Sequence, residues 1–213
     1  MRIVLIPMKP LAGAKARLAP ALNPTERRRL SLAMLTDVIA AARGFDRVWV
    51  LNSDDEAASV AVDAGVEAVP DPAPGLGLNA SLAAATKRAM SEGATGLLIV
   101  SADLPAVSAG DLEALSDRAG LALAPDRSGT GTNALWRSPG DVIEVAFGTS
   151  SRAGHEGLAL EAGIAAHIVD LPGLALDVDV PGDLAAACTV RVGPATRRAL
   201  EEMDVAARVR LAG

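Results

Sequence analysis

The sequence predicts an α/β domain with a largely parallel sheet, and three observations carry that expectation. Short apolar, β-branched runs alternate with longer amphipathic segments, the pattern of repeated βα units. Several of those runs are continuously apolar, as strands buried on both faces must be. The 213 residues suit one medium domain, and 50% are hydrophobic against 22% charged. A globular chain of that size buries roughly 70% of its unfolded surface and needs no staples.

In chain order, Ile3–Pro7 is the first expected strand. A helix follows: Asn23 caps it, Pro24 suits its first position, and Glu26 completes a capping-box spacing. Leu30, Met34 and Val38 recur at helical spacing, and Gly44 stops it. Val48–Leu51 and Val66–Val69 read as strands around a helix over Asp54–Ala64. The stretch 70–78 carries Pro or Gly at five of nine positions and reads as a loop. A helix over Ala80–Glu92 ends at Gly93, and strands follow at Leu97–Val100 and Leu121–Ala124. Beyond Asp126 the alternation fails, leaving a strand over Thr132–Arg137, a helix over Ala153–Ala162 and a strand over Ala165–Val169. The Arg-rich helical tail, Pro194 to Leu211 within a segment of about 190–213, offers either packing for the core or a surface for a homodimer.

Composition excludes several classes. Aromatics are 2% of the chain, which disfavours base-stacking platforms, and a net charge of −6 disfavours a whole-surface nucleic-acid footprint. Cys188 is the one cysteine, so no intramolecular disulfide or multi-cysteine zinc site can form. No apolar run approaches the ~20 residues of a membrane span, and the start MRIVLIPMKP lacks a signal-peptide layout. The expectation is a cytoplasmic protein without membrane or nucleic-acid partners.

In open α/β sheets ligands bind outside the carboxyl ends of the strands. The first such loop carries Lys9, Lys15 and Arg17 within nine residues, although the whole chain has three lysines. That density suits a polyphosphate, or a solvated basic loop; the GxxxxGK[ST] pattern is absent. Asp103, in Ser101-Ala102-Asp103-Leu104-Pro105, follows a buried strand and is placed to hold Mg²⁺, or to cap a helix. Asp177 and Asp179 share one face of an extended strand, where one could join that metal, and Asp183 falls in the next helix's first turn. Gly129-Thr130-Gly131-Thr132-Asn133 offers amides to an anion, and Phe147-Gly148-Thr149-Ser150-Ser151 does so before a helix. Either reads equally as a surface turn. His155 could meet an anion there, while His167 reads as structural. No Ser/His/Asp or Cys/His spacing supports nucleophilic hydrolysis. Gly75-Leu76-Gly77-Leu78-Asn79-Ala80 imitates a dinucleotide fingerprint, but PDPAP separates it from its strand and no strand-end acid follows.

Taken in order, KPLAGAKARLAP (9–20), GLNASL (77–82), SADLP (101–105), APDRSGTGTNAL (124–135), FGTSSRAGH (147–155) and LDVDVPGDL (176–184) resemble one family. It is the CofC/FbiD guanylyltransferases of coenzyme F420 biosynthesis, and the resemblance covers nearly the whole chain. It implies a single-domain, Rossmann-like nucleotide-diphospho-sugar transferase fold (GT-A-like) with a mostly parallel mixed sheet. It also implies GMP transfer from GTP to a small phosphorylated carboxylic acid, releasing pyrophosphate. On that resemblance Thr132, Gly148 and Ser151 match acceptor contacts, with Thr149 where the family often has proline. Mg²⁺ goes to Asp103 and Asp179; Lys9, Lys15 and Arg17 face the leaving pyrophosphate; Gly77 and Asn79 are candidates for the nucleobase end. VGPATRRAL (192–200) resembles the ending of the mycobacterial-type branch, which favours phosphoenolpyruvate over 2-phospho-L-lactate or 3-phosphoglycerate. Another nucleotidyltransferase of the same fold, such as a molybdenum-cofactor guanylyltransferase, and a catalytically dead nucleotide-binding regulator are the competing readings.

Overall fold

A computed structural model describes residues 1–211. The strands are β1 (Arg2–Pro7), β2 (Arg47–Asn52), β3 (Glu67–Pro70), β4 (Gly96–Val100), β5 (Gly120–Pro125), β6 (Thr132–Ser138) and β7 (Ala166–Ile168). They form one sheet in the order β3-β2-β1-β4-β6-β5-β7. β6 runs antiparallel to both its neighbours, and every other pairing is parallel. This is the mostly parallel mixed sheet that the sequence predicts.

Period-two geometry divides β1 between two cores. Val4 and Ile6 pack under α1 (Pro24–Ala41), α2 (Asp55–Asp63) and α4 (Ala109–Ser116). Ile3 and Leu5 face the opposite layer, built on α3 (Leu78–Ser91) and α5 (Ser151–Glu161). The β1–β4 register brings Leu5 beside Ile99, so both layers run continuously across the sheet.

Local chemistry sets the boundaries. Asn23 Oδ1 accepts the Glu26 N–H at 3.0 Å and Glu26 returns a bond to the Asn23 N–H at 2.8 Å, the expected capping box. Two predicted starts shift: α3 begins at Leu78 rather than Ala80 and α5 at Ser151 rather than Ala153. α4, absent from the sequence reading, opens on a second capping box, Ser108 with Asp111.

The tail corrects the expectation of one continuous helix. α6 (Pro172–Ala175) and α7 (Pro181–Ala187) precede α8 (Pro194–Glu202) and α9 (Val205–Leu211). Asp204, at φ 48°, breaks the tail between the last two. The last two positions of the predicted tail lie outside the described residues. α8 packs back on α1, where buried Asp37 accepts the N–H groups of Ala195 and Thr196 at 3.0 and 2.8 Å. A carboxylate at a helix N-terminus satisfies two orphan donors and complements the dipole. Leu18, Leu30, Met34, Leu184 and Leu200 fill a third core beneath the tail. Among the described residues no helix is long and apolar enough to cross a membrane.

Candidate active site

A cavity of 760 Å³ opens where β1, β2 and β4 end, the size of a nucleotide-scale pocket. Met8 and Lys9 leave β1 into it, Asn52 and Ser53 leave β2, and Asp103 follows β4. Gly77 closes one side at the start of α3, with φ 89°, a conformation that only glycine adopts without strain.

The loop after β1 ends in a turn over Ala16–Leu18, anchored by fully buried Leu18. Lys15 enters that turn in the left-handed region at φ 52°, a strained conformation for a side-chain-bearing residue. Its Nζ lies 2.5 Å from Asp103 Oδ2 and 2.8 Å from Asp179 Oδ1. Burial works against the Lys15 charge, but the two carboxylates outweigh it and hold the ammonium above its ordinary pKa. Burial likewise opposes the Asp179 charge, and Lys15, with Lys9 and Arg17, reverses that and keeps its carboxyl low. The basic loop and the two predicted metal ligands therefore form one electrostatic unit. Lys9 lies on the cavity wall; Arg17 stands exposed on the turn.

Asp103 caps no helix, because Ser108 takes that position for α4. Its carbonyl instead accepts the Val178 N–H at 3.3 Å, which sets Asp179 beside it. Residues 176–179 pair with no strand, so the predicted extended strand there is an unpaired segment held by the Asp103 carbonyl and by side chains. Asn133 Nδ2 bonds the Leu174 carbonyl at 2.9 Å, and Asp183 Oδ2 accepts the Asp179 and Val180 N–H groups at 3.1 and 3.0 Å. Asp177 is pushed up by burial and by the neighbouring charges of Asp103 and Asp179. No group of three or more His, Cys, Asp or Glu side chains among the described residues is arranged to hold a metal alone.

The proposed acceptor residues form a second cluster, off that cavity wall. Ser151 opens α5 and its N–H reaches the Gly148 carbonyl at 3.2 Å; Gly148 sits at φ 131°, open only to glycine. Thr132 lies on β6 directly before Asn133, so one strand joins the two clusters. Three expectations change here. The Thr130 and Gly131 amides are not free for an external anion, because Asp126 Oδ1 accepts both at 3.0 Å. Asn79 is absent from the cavity wall: its amide bonds the Phe147 backbone N–H and C=O at 2.8 and 2.9 Å. His167 is exposed on β7 rather than packed in a core.

His155 has both ring nitrogens engaged within the chain rather than offered to an anion. Fully buried, it accepts the Ala146 N–H on Nε2 at 3.0 Å and faces Thr132 Oγ1 with Nδ1 at 3.1 Å. Burial, helped by the Arg137 charge, pulls its pKa to about 4. The unfolded chain, at about 6.5, therefore binds the proton first as pH falls, and stability is lost from about pH 6.5 down to about 4. The full loss is about 3 kcal/mol, so wild type should lose that much more stability than His155→Gln between pH 7 and 4 in urea titrations. Parallel losses in the two proteins would remove His155 as the cause.

A family model described as guanylyl transferase CofC like matches residues 1–208. A phosphoenolpyruvate guanylyltransferase of Sphaerobacter thermophilus is 42% identical over 188 residues, covering 85% of this chain and 90% of that protein. One of Conexibacter woesei is 42% identical over 190 residues, 84% of each chain, and one of Mycolicibacterium gilvum 40% over 206, 92% and 94%. Among solved structures, a Desulfovibrio desulfuricans protein assigned to the nucleotide-diphospho-sugar transferases superposes with a TM-score of 0.77 at 16% identity, over 99% and 97% of the chains. A nucleotidyl transferase from Methanothermobacter gives 0.60 at 17%, over 86% and 94%. These two likenesses concern the fold.

Proposed function

This chain belongs to the CofC-like guanylyl transferase family, a family of nucleotidyltransferases, and we propose that it transfers GMP from GTP to phosphoenolpyruvate. The products would be enolpyruvoyl-2-diphospho-5′-guanosine and pyrophosphate, as a step of coenzyme F420 biosynthesis in the cytoplasm. The single observation that supports the chemistry most directly is the Lys15 ammonium held between Asp103 and Asp179 at the cavity. The choice of acceptor rests on the names of relatives at 40–42% identity.

The reaction needs no general base. An acceptor phosphate oxygen, already anionic, attacks the α-phosphorus of GTP; the α–β anhydride bond breaks and pyrophosphate leaves. Such transfers run on positioning and charge neutralisation. Lys15, Lys9 and Arg17 would stabilise the departing pyrophosphate, and Gly77 would lie beside the nucleotide. Thr132, Gly148 and Ser151 would hold the acceptor.

The donor set at the cavity suits Mg²⁺. Asp103 and Asp179 present hard oxygen donors that already converge on one positive charge, and Mg²⁺ typically takes one or two carboxylates with phosphate oxygens completing its shell. When bound, the ion would neutralise charge on the phosphate oxygens around the bonds that change.

Pyrophosphate release, measured with each of four NTPs against phosphoenolpyruvate, 2-phospho-L-lactate and 3-phosphoglycerate, tests the reading. GTP with phosphoenolpyruvate should give the highest kcat/KM. A preference for another of the three acids would overturn the acceptor and leave guanylyl transfer in place; activity with none would overturn both. Such close analogues commonly differ by only ~1–3 kcal/mol in a pocket, so full kcat/KM values are needed.

A further inference from the structure

Residues 139–150, between β6 and α5, contain no helix or strand, yet positions 143–147 are held by side chains from three elements. From β6, Arg137 donates to the Ile143 carbonyl at 2.8 Å. From α5, His155 accepts the Ala146 N–H at 3.0 Å, and its ring meets Phe147 edge-on with centroids 4.9 Å apart. From α3, Asn79 takes both the N–H and the C=O of Phe147, so one amide side chain replaces the strand partner that this backbone lacks. Gly154 lets Ala146 approach closely, since a Cβ there would stand 3.2 Å from the Ala146 methyl.

The two nitrogens of His155 fix its protonation. Nε2 accepts the Ala146 N–H, so the ring proton sits on Nδ1 and Nδ1–H donates to Thr132 Oγ1. One fully buried ring thus ties Thr132 on β6 to the backbone two residues before Gly148. The start of α5 adds a second link, since the Ser151 N–H reaches the Gly148 carbonyl at 3.2 Å and the Arg152 N–H the Thr130 carbonyl at 3.1 Å.

We propose that Asn79 and His155 are positioning residues for acceptor binding, holding the 146–148 backbone in register with Thr132. The proposal rests on the acceptor subsite assigned above to Thr132, Gly148 and Ser151. It makes the acceptor subsite a pre-built half of the active site, held by a side chain that does not itself line the cavity bordered by Gly77, Leu78 and Ser81. Displacements of about 1 Å in such a subsite cost up to a hundredfold.

The test is steady-state kinetics with each substrate varied, on Asn79→Ala, His155→Gln and His155→Ala, with amide hydrogen exchange of residues 145–148 on the substrate-free proteins. Asn79→Ala should raise the phosphoenolpyruvate KM about ten- to a hundredfold while the GTP KM stays within about twofold. Exchange at Ala146 and Phe147 should rise in the same variant. His155→Gln, which keeps an acceptor for the Ala146 N–H, should retain more acceptor affinity than His155→Ala. An unchanged acceptor KM in folded Asn79→Ala, an equal rise in both KM values, or failure of Asn79→Ala to fold would each overturn the proposal. Wild-type protein that transfers GMP to no acid would instead overturn the functional reading on which it rests.

Discussion

Asp103→Asn should lower kcat/KM by at least about a thousandfold while leaving the melting temperature within a few degrees of wild type. The amide keeps the shape of the side chain and removes its charge. That charge has two partners: the Lys15 ammonium 2.5 Å away and the Mg²⁺ ion proposed for the same oxygens. Without it, the proposed metal would lose a ligand and the Lys15 ammonium one of its two carboxylates. The fold should survive because the backbone role of Asp103, accepting the Val178 N–H, does not use the side chain. Asp179→Asn should cost less, since its side chain is 49% exposed against 28% for Asp103 and solvent already screens it. Wild-type-like, Mg²⁺-dependent turnover in Asp103→Asn would remove this carboxylate from the reaction.

The strands were legible because their burial on both faces forces continuous apolar runs, which Ile3–Ile6 and Leu97–Val100 show plainly. α1 was legible from its caps and from Leu30, Met34 and Val38 at helical spacing. α4 carried the same kind of signal in Ser108 and Asp111, but its eight residues hold too little periodicity to stand out beside it. The break at Asp204 left only a weak mark: aspartate is enriched in the left-handed region, yet few aspartates adopt it, so the residue alone does not announce a break.

At the site, the strand-end rule led to Lys15 and Asp103 separately. Their contact spans 88 residues, and the one between Lys15 and Asp179 spans 164, so no local pattern could supply either. Of the two readings open for the GTGT amides, the turn holds, because their partner is the chain itself: Asp126, four and five residues earlier, reaches both. That signal was readable, as short acidic side chains commonly bond nearby backbone N–H groups. Asn79 is different. Its partner Phe147 lies 68 residues away, and only the folded chain brings them together.

Lys15→Ala should lower kcat and raise the GTP KM, by about a hundredfold or more in kcat/KM, whereas Lys87→Ala should change neither. The two lysines differ in place, not in chemistry. Lys87 is exposed on α3, while the Lys15 side chain is only 10% exposed at the cavity, with its ammonium on two carboxylates. An ammonium so placed is worth more than one in water, because the buried setting weakens screening. Its removal has a second consequence. Asp103 and Asp179 would face each other with no cation between them, and a divalent ion would meet no competitor for their oxygens. Mg²⁺ alone should therefore raise the melting temperature of Lys15→Ala more than that of wild type, even as turnover falls. That pairing separates a lysine that acts through the shared carboxylates from one that merely adds positive charge to the loop. Equal Mg²⁺ shifts in the two proteins would assign Lys15 to the phosphates only, and activity equal to that of Lys87→Ala would make the basic loop a surface feature.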